Sequence, residues 1–161
     1  MLPPLYFRHV TPEDKGRLAD GLARLSPESR RRRFLMPKPR FSSSELRYLT
    51  EIDGFDHVAI VAVSMRDPDV FYAVARFVRL RDDPDTAEAA IVVADALQGE
   101  GLGRELGRRL AAEARRRGVR RFTATLLGDN EPAQRLFASI SAQLVSRTVS
   151  GLREVTAELA A

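Results

Sequence analysis

The sequence contains no cysteine and only two histidines among its 161 residues. Without cysteine, the chain has no disulfide framework, no cysteine-ligated zinc or iron–sulfur centre and no thiol nucleophile. The two histidines, His9 and His57, lie far apart in sequence. A histidine-rich metal site and a Ser–His–Asp triad are therefore both disfavoured, and we expect a domain that works without a metal.

Long apolar runs are also missing. No run approaches the roughly 20 residues that a membrane-spanning helix needs, and residues 1–7 lack the basic flank and apolar core of a signal peptide. These absences favour a cytoplasmic protein with no membrane partner. The length is that of one domain, so we expect a single domain over 1–161.

Lysine is scarce, because 24 of the 26 basic residues are arginine, and the formal net charge is +4. A basic surface suits ligands that carry phosphate. With 22 acidic residues and no nucleic-acid-binding motif, nucleic-acid binding is disfavoured. The arginine run at residues 30–33 is interpreted as a solvated helix face, with contact to an acidic protein surface as the alternative.

Hydrophobic periodicity divides the chain into helical and strand patterns. The predicted strands are Leu5–Val10, His57–Val63, Val70–Leu80, Ala87–Val93, Arg121–Leu127, Ala142–Val149 and Leu152–Leu159. The predicted helices begin at Thr11 and at Ser26 and cover Ser42–Glu51, Gly103–Arg117 and Asn130–Ile140. The order β-α-α-α-β-β-β-α-β-α-β-β predicts a mixed α/β domain with one central sheet.

The most informative stretch runs from Ile91 to Arg104, where a predicted strand enters a glycine-rich turn that opens a helix. Unpaired backbone N–H groups and the helix dipole favour an anion at such a point, and glycine lets the main chain approach it closely. The spacing is neither that of the dinucleotide-binding fingerprint nor that of the P-loop. We therefore expect a phosphate-binding loop of a third kind.

This stretch resembles the GNAT N-acetyltransferase superfamily. The run Gln98-Gly99-Glu100-Gly101-Leu102-Gly103 matches the family's Gln/Arg-x-x-Gly-x-Gly/Ala signature, and Asn130-Glu131-Pro132-Ala133 matches its Asn-x-x-Ala segment. The resemblance implies a mostly antiparallel, twisted sheet of about seven strands flanked by helices, and acetyl-CoA as cosubstrate. It further implies cofactor contacts from Ile91, Val92, Val93, Gln98, Gly99, Glu100, Gly101, Leu102, Gly103, Arg104, Asn130 and Ala133.

A narrower resemblance is to the bacterial protein-lysine acetyltransferases that modify acetyl-CoA synthetase. It rests on Leu25–Ser29, Ile52-Asp53, His57–Ala59 and Ala87–Ala90. It implies a protein-lysine acceptor such as an acyl-CoA synthetase, in a monomer or homodimer that is either a free-standing enzyme or a catalytic domain. The alternatives are a small-molecule amine acceptor and a non-catalytic module that senses acyl-CoA.

Direct transfer requires a base, because a lysine amine with a pKa near 10.4 is mostly protonated at neutral pH. Glu88 is the candidate, as the lone carboxylate in an apolar strand, and we expect burial to raise its pKa. A salt bridge to arginine is its structural alternative, and His57 is a weaker candidate base. The N–H of Val93 is the expected oxyanion donor. Phe137 occupies the position at which many family members carry a tyrosine that acts as general acid. The general acid is therefore unassigned.

Overall fold

The computed structural model describes all residues, 1–161, as one mixed sheet with helices on both faces. The strands are β1 (Leu5–His9), β2 (His57–Ser64), β3 (Phe71–Arg79), β4 (Thr86–Val93), β5 (Arg121–Leu127), β6 (Ser141–Val149) and β7 (Leu152–Leu159). The helices are α1 (Lys15–Arg24), α2 (Pro27–Phe34), α3 (Ser43–Thr50), α4 (Leu102–Arg116) and α5 (Glu131–Ser139).

The seven strands form one sheet in the order β1-β2-β3-β4-β5-β7-β6. Every neighbouring pair is antiparallel except β4 and β5, which are parallel. The predicted element order and the mostly antiparallel seven-stranded sheet are thus confirmed. In the closing hairpin it is the second strand, β7, that pairs with β5, so that β7 lies between β5 and β6.

Helices cover both faces of the central strands, which explains why β2 is buried at every position. On one face, α4 packs Leu106, Leu110 and Ala114 into the main core, where the rings of Phe77 and Phe122 lie 5.8 Å apart. On the other face, α1 and α3 cover a smaller core. None of the helices is both long and apolar enough to cross a membrane.

Side chains of β4 alternate between these two faces. A Cβ added at Gly107 of α4 would lie 3.4 Å from the Ile91 side chain, and one added at Gly103 would lie 3.5 Å from that of Val93. The side chains of Ile91 and Val93 therefore point towards α4. Ala90 and Val92 face a cavity lined by α1, α2 and α3. The register of β4 therefore decides which of its residues can meet a ligand from each side.

Several predicted boundaries shift by one residue, and one predicted helix is divided. The residues after Thr11 form a 3-10 turn over Pro12–Asp14 before α1 begins at Lys15. The fully buried Asp14 carboxylate accepts hydrogen bonds from the Thr11 N–H at 2.8 Å and from Arg8 at 2.8 Å. These hydrogen bonds hold Asp14 in place and stabilise the 3-10 turn that precedes α1.

Candidate active site

The parallel pair β4 and β5 is the one weak junction of the sheet. Pairing covers only Thr86–Glu88 against Arg121–Thr123, after which the two strands diverge. On its other edge β4 remains paired with β3 as far as Ala94, whose N–H donates to the Tyr72 carbonyl at 2.8 Å. Since hydrogen-bonded pairs alternate in an antiparallel ladder, the N–H groups of Ile91 and Val93 point into the gap.

A cleft of about 550 Å³ occupies this gap. Its walls include Ser29 and Arg33 of α2 on one face of the sheet, and Ala133 and Phe137 of α5 on the other. The cleft therefore passes between the strands and connects the two faces. A molecule that enters beside α5 can reach a second molecule that approaches beside α2.

The cleft ends at the turn before α4, where the backbone forms a loop of free N–H groups. Gly99 and Gly101 have φ angles of 82° and 86°, in the left-handed region that favours glycine. The N–H groups of residues 99–104 have no hydrogen-bond acceptor within the protein. They converge at the N-terminus of the 15-residue helix α4, whose dipole adds to the attraction for a negative charge.

The side chains around the cleft carry positive charge only. Four arginines line it, and no aspartate or glutamate does. Arg32 and Arg135 are held by glutamates of their own helices, at 3.0 Å and 3.8 Å, whereas Arg104 has no ion pair. The four arginines that line the cleft are Arg32, Arg33, Arg104 and Arg135. The electrostatic field in the cleft suits a ligand with several phosphates.

Ten of the twelve expected cofactor residues line the cleft, all except Glu100 and Leu102. The Glu100 carboxylate instead accepts a hydrogen bond from the N-terminal amine at 2.9 Å, and the Leu102 side chain is buried in the core. Both residues retain a free backbone N–H in the loop. Asn130 caps α5, its Oδ1 accepting from the Ala133 N–H at 3.3 Å.

The Gln98 side chain has a structural partner that the sequence did not indicate. Its Nε2 donates to Ser29 Oγ and to the Val93 carbonyl, both at 3.1 Å. Ser29 in turn donates to the Asp95 carboxylate at 3.0 Å, and Asp95 also accepts from the Ser26 N–H. This network fixes the start of α2 against the connection between β4 and α4, and so positions the arginines of α2 at the cleft.

Glu88 is exposed, which corrects the expectation that it is buried. It makes neither an ion pair within 4 Å nor a hydrogen bond, so a structural salt bridge does not explain it either. Glu88 is the last residue of β4 that pairs with β5, opposite Thr123. It is the only carboxylate on the two strands that flank the gap.

His57 is held in its neutral form and is not free to act as a base. Its Nε2 lies 3.0 Å from Nη1 of Arg76, and because a guanidinium can only donate, the imidazole must accept there. Burial first, and then the charge of Arg76, lower the pKa of His57 to about 4. The lone pair that a base would need is already engaged.

Two further features bear on the chemistry. The buried Phe137 lines the cleft and brings no hydroxyl to it. No three side chains of histidine, cysteine, aspartate or glutamate come together in a way that could hold a metal ion.

Comparison with known proteins agrees with this geometry. The model of the acetyltransferase (GNAT) family matches residues 27–140, more than two thirds of the chain. The chain therefore belongs to the GNAT acetyltransferase family.

Individual relatives narrow the comparison. The chain is 36% identical over 139 residues to acetyltransferase Pat of Mycolicibacterium smegmatis, a match over 85% of this chain but only 40% of Pat. The solved GNAT domain of S. lividans PAT is 30% identical with a TM-score of 0.85, over 96% of this chain and 90% of that domain. The yncA protein of Salmonella typhimurium, solved with its cofactor acetyl-CoA, shares the fold at 20% identity and a TM-score of 0.69, over 97% of this chain and 94% of that one.

Proposed function

We propose that this protein transfers the acetyl group of acetyl-CoA directly to an amine, a protein lysine in the first instance, with Glu88 as general base. The observation that carries the proposal is the gap between β4 and β5, which continues into the loop of free N–H groups at residues 99–104. Such a site accepts a narrow, extended chain that ends in a diphosphate, which is the shape and charge of coenzyme A.

The gap determines where along β4 each part of the cosubstrate binds. The pyrophosphate binds the N–H groups of residues 99–104, and the arm runs back between the strands. Of the two N–H groups that point into the gap, that of Ile91 lies roughly 10 Å along the strand from Glu88, and that of Val93 roughly 17 Å. We therefore propose the Ile91 N–H as donor to the thioester oxygen, in place of the Val93 N–H that the sequence predicts, and assign the Val93 N–H to the arm.

The reaction needs one proton acceptor on the far side of the gap from the cosubstrate. The acceptor ammonium loses a proton to Glu88, directly or through water, and its nitrogen then attacks the carbonyl carbon of the thioester. As the tetrahedral intermediate collapses, the C–S bond breaks, the thiolate leaves and the nitrogen releases its second proton to solvent. Solvent supplies the proton that the thiolate takes up, since Phe137 has none to give and a thiol with a pKa near 8.5 is a fair leaving group.

The choice of a lysine acceptor rests on the sequence resemblance to protein-lysine acetyltransferases and on the openness of the site. Pat of M. smegmatis is 36% identical to this chain, and the GNAT domain of S. lividans PAT has a TM-score of 0.85. Glu88 is exposed rather than enclosed, so a side chain that protrudes from a large partner can reach it.

The test replaces Glu88 by glutamine and measures thiol release from acetyl-CoA with lysine-bearing proteins and small amines as acceptors. We expect kcat to fall by roughly 10²–10⁴, the usual contribution of general acid–base catalysis, with unchanged affinity for acetyl-CoA. Because Glu88 makes no ion pair, the melting temperature should move by no more than about 2 °C.

Glu158→Gln is the matched control, since it removes a partly exposed carboxylate that pairs with Arg121 at 2.8 Å, away from the gap. Its turnover should remain that of the wild type. Normal turnover in folded Glu88→Gln would exclude Glu88 as the base. Binding of acetyl-CoA without thiol release to any acceptor would favour a regulatory module, and acetylation of small amines alone would exclude the lysine acceptor.

A further inference from the structure

A second cavity lies on the α2 side of β4, next to the cleft. Its volume is about 70 Å³, and apolar side chains of α1, α2, α3, β3 and β4 form most of its wall. Arg33, Ala90 and Val92 line both this cavity and the cleft, so the two spaces meet at β4. Within the proposed reaction, this is the side from which the acceptor approaches.

The positive charge of Arg33 lies at this boundary without an ion-pair partner. Its guanidinium makes no hydrogen bond and no ion pair within 4 Å, and lies 4.7 Å from the centre of the Phe34 ring. Burial among apolar groups lowers the pKa of Arg33, while the charge of Glu88 acts in the opposite direction. The cavity therefore holds a cation whose solvation is incomplete.

Arg76 is the second cation of the cavity and is 6% exposed. Its Nη1 donates to the Leu49 carbonyl at 3.0 Å and contacts His57 Nε2 at 3.0 Å. Its Nε and Nη2 have no partner and are not sealed off from the cavity. Burial first, and then the charge of Arg33, lower the pKa of Arg76 to about 9.

The buried Arg76 and the partly buried Arg33 repel each other, and an anion that joins them would relieve that repulsion. No carboxylate of this chain lies within 4 Å of either one. The free Nε and Nη2 of Arg76 form a side-on pair of donors that matches the two oxygens of a carboxylate. The phosphates of the cosubstrate have their own loop at residues 99–104, at the end of the cleft.

We propose that Arg33 and Arg76 form a carboxylate-binding subsite for the acceptor, so that the preferred acceptor is an amine with a carboxylate nearby. The proposal rests on the acetyl transfer proposed above. Arg76 pairs with Ala90 and is a diagonal neighbour of Glu88, at a Cα separation of roughly 7–8 Å. A carboxylate at Arg76 and an amine near Glu88 can therefore belong to one amino acid, or to a lysine and an adjacent acidic residue.

The experiment compares acceptors that differ only in the carboxylate. For the amino-acid source the pair is Nα-acetyl-lysine and its N-methylamide. For the protein source it is two peptides with blocked ends, one with Lys-Glu and one with Lys-Gln. We expect kcat/KM to be about 10- to 100-fold higher for the carboxylate member of at least one pair, the value of a hydrogen-bonded contact to a charged group.

Variants then assign the preference to the arginines. Arg33→Met keeps the apolar stem and removes the charge, and should reduce the ratio of kcat/KM values within each pair to about onefold. Arg31→Met is the control, because Arg31 is exposed on the same helix and lines neither space. Arg76→Lys retains a charge but loses the paired donors, and should reduce the preference in part.

The outcomes separate this subsite from the function it rests on. Equal kcat/KM within both pairs would overturn the subsite and leave acetyl transfer standing. A preference that survives in folded Arg33→Met, together with weaker binding of acetyl-CoA, would assign Arg33 to the cosubstrate instead. Thiol release to none of the four acceptors would overturn the acceptor class, and failure to bind acetyl-CoA would overturn the proposed function itself.

Discussion

Replacing Gly101 by valine tests the anion-binding loop through its backbone alone. A Cβ at Gly101 would meet nothing within 4 Å, so the substitution causes no collision. Gly101 has φ 86° and ψ 0°, however, a conformation that a β-branched residue strongly disfavours. The consequence is strain at the point where the free N–H groups of residues 99–104 converge.

The size of the effect on stability and on Kd depends on whether the strained loop keeps its shape or relaxes. A non-glycine residue in such a conformation costs about 1–3 kcal/mol. If the loop keeps its shape, the cost appears in the free energy of unfolding, and the melting temperature falls by about 2–4 °C for each kcal/mol. If the loop relaxes, its N–H groups turn away, and coenzyme A must restore them on binding. The Kd then rises by about 5- to 150-fold.

The assay is calorimetric titration with coenzyme A together with thermal unfolding of the same preparation. Gly118→Val is the matched control, because Gly118 has φ 84°, also has open space at its Cβ position, and follows the far end of α4. We expect it to lower the melting temperature and leave the Kd unchanged. The reasoning is refuted if Gly101→Val changes neither quantity, or if Gly118→Val weakens binding as much.

Two further predictions concern stability and metal. Burial alone would raise the pKa of Asp14, but hydrogen bonds from Arg8, the Thr11 N–H and Arg17 lower it to about 2. The stability it contributes is complete above about pH 4 and is lost as the pH falls towards 2. Asp14→Asn should therefore lower the free energy of unfolding by about 3 kcal/mol at pH 7, with little difference at pH 2 in denaturant titrations. Dialysis against EDTA should leave turnover unchanged; activity that is lost and then restored by zinc would contradict this.

The parts of the site that follow from neighbours in sequence were predictable. The glycines at 99, 101 and 103, between an apolar strand and an amphipathic helix, predict the turn and its free N–H groups. The structure has this strand, this turn and this helix, and the helix begins one residue earlier than predicted, at Leu102. Local backbone chemistry determines such a segment, so the sequence suffices.

Contacts between distant segments were not predictable in the same way. Gln98 reaches Ser29 across 69 residues, and nothing in its own segment indicates that partner. The order β5-β7-β6 likewise depends on non-local pairing. In both cases the information lies in how the elements pack together, which hydrophobic periodicity does not record.

The orientation of polar side chains was the hardest feature to predict. Phe34 is the only large apolar residue of α2, so its pattern does not indicate which arginine turns inwards. The run 30–33 was interpreted as a solvated face, yet Arg33 lines both cavities. Glu88 shows the opposite error, since its place in an apolar strand predicts burial, whereas its side chain is exposed.

The brief pairing of β4 with β5 has a mechanical consequence. Backbone pairing joins the block β1–β4 to the block β5–β7–β6 over three residue pairs only. Side chains complete the junction, in the main core around Phe77 and Phe122 and where Leu136 packs over Gly103 and Gly107. Acetyl-CoA bound where the two strands diverge, as proposed, contacts both blocks. We therefore expect it to stiffen the part of the sheet that backbone pairing leaves open.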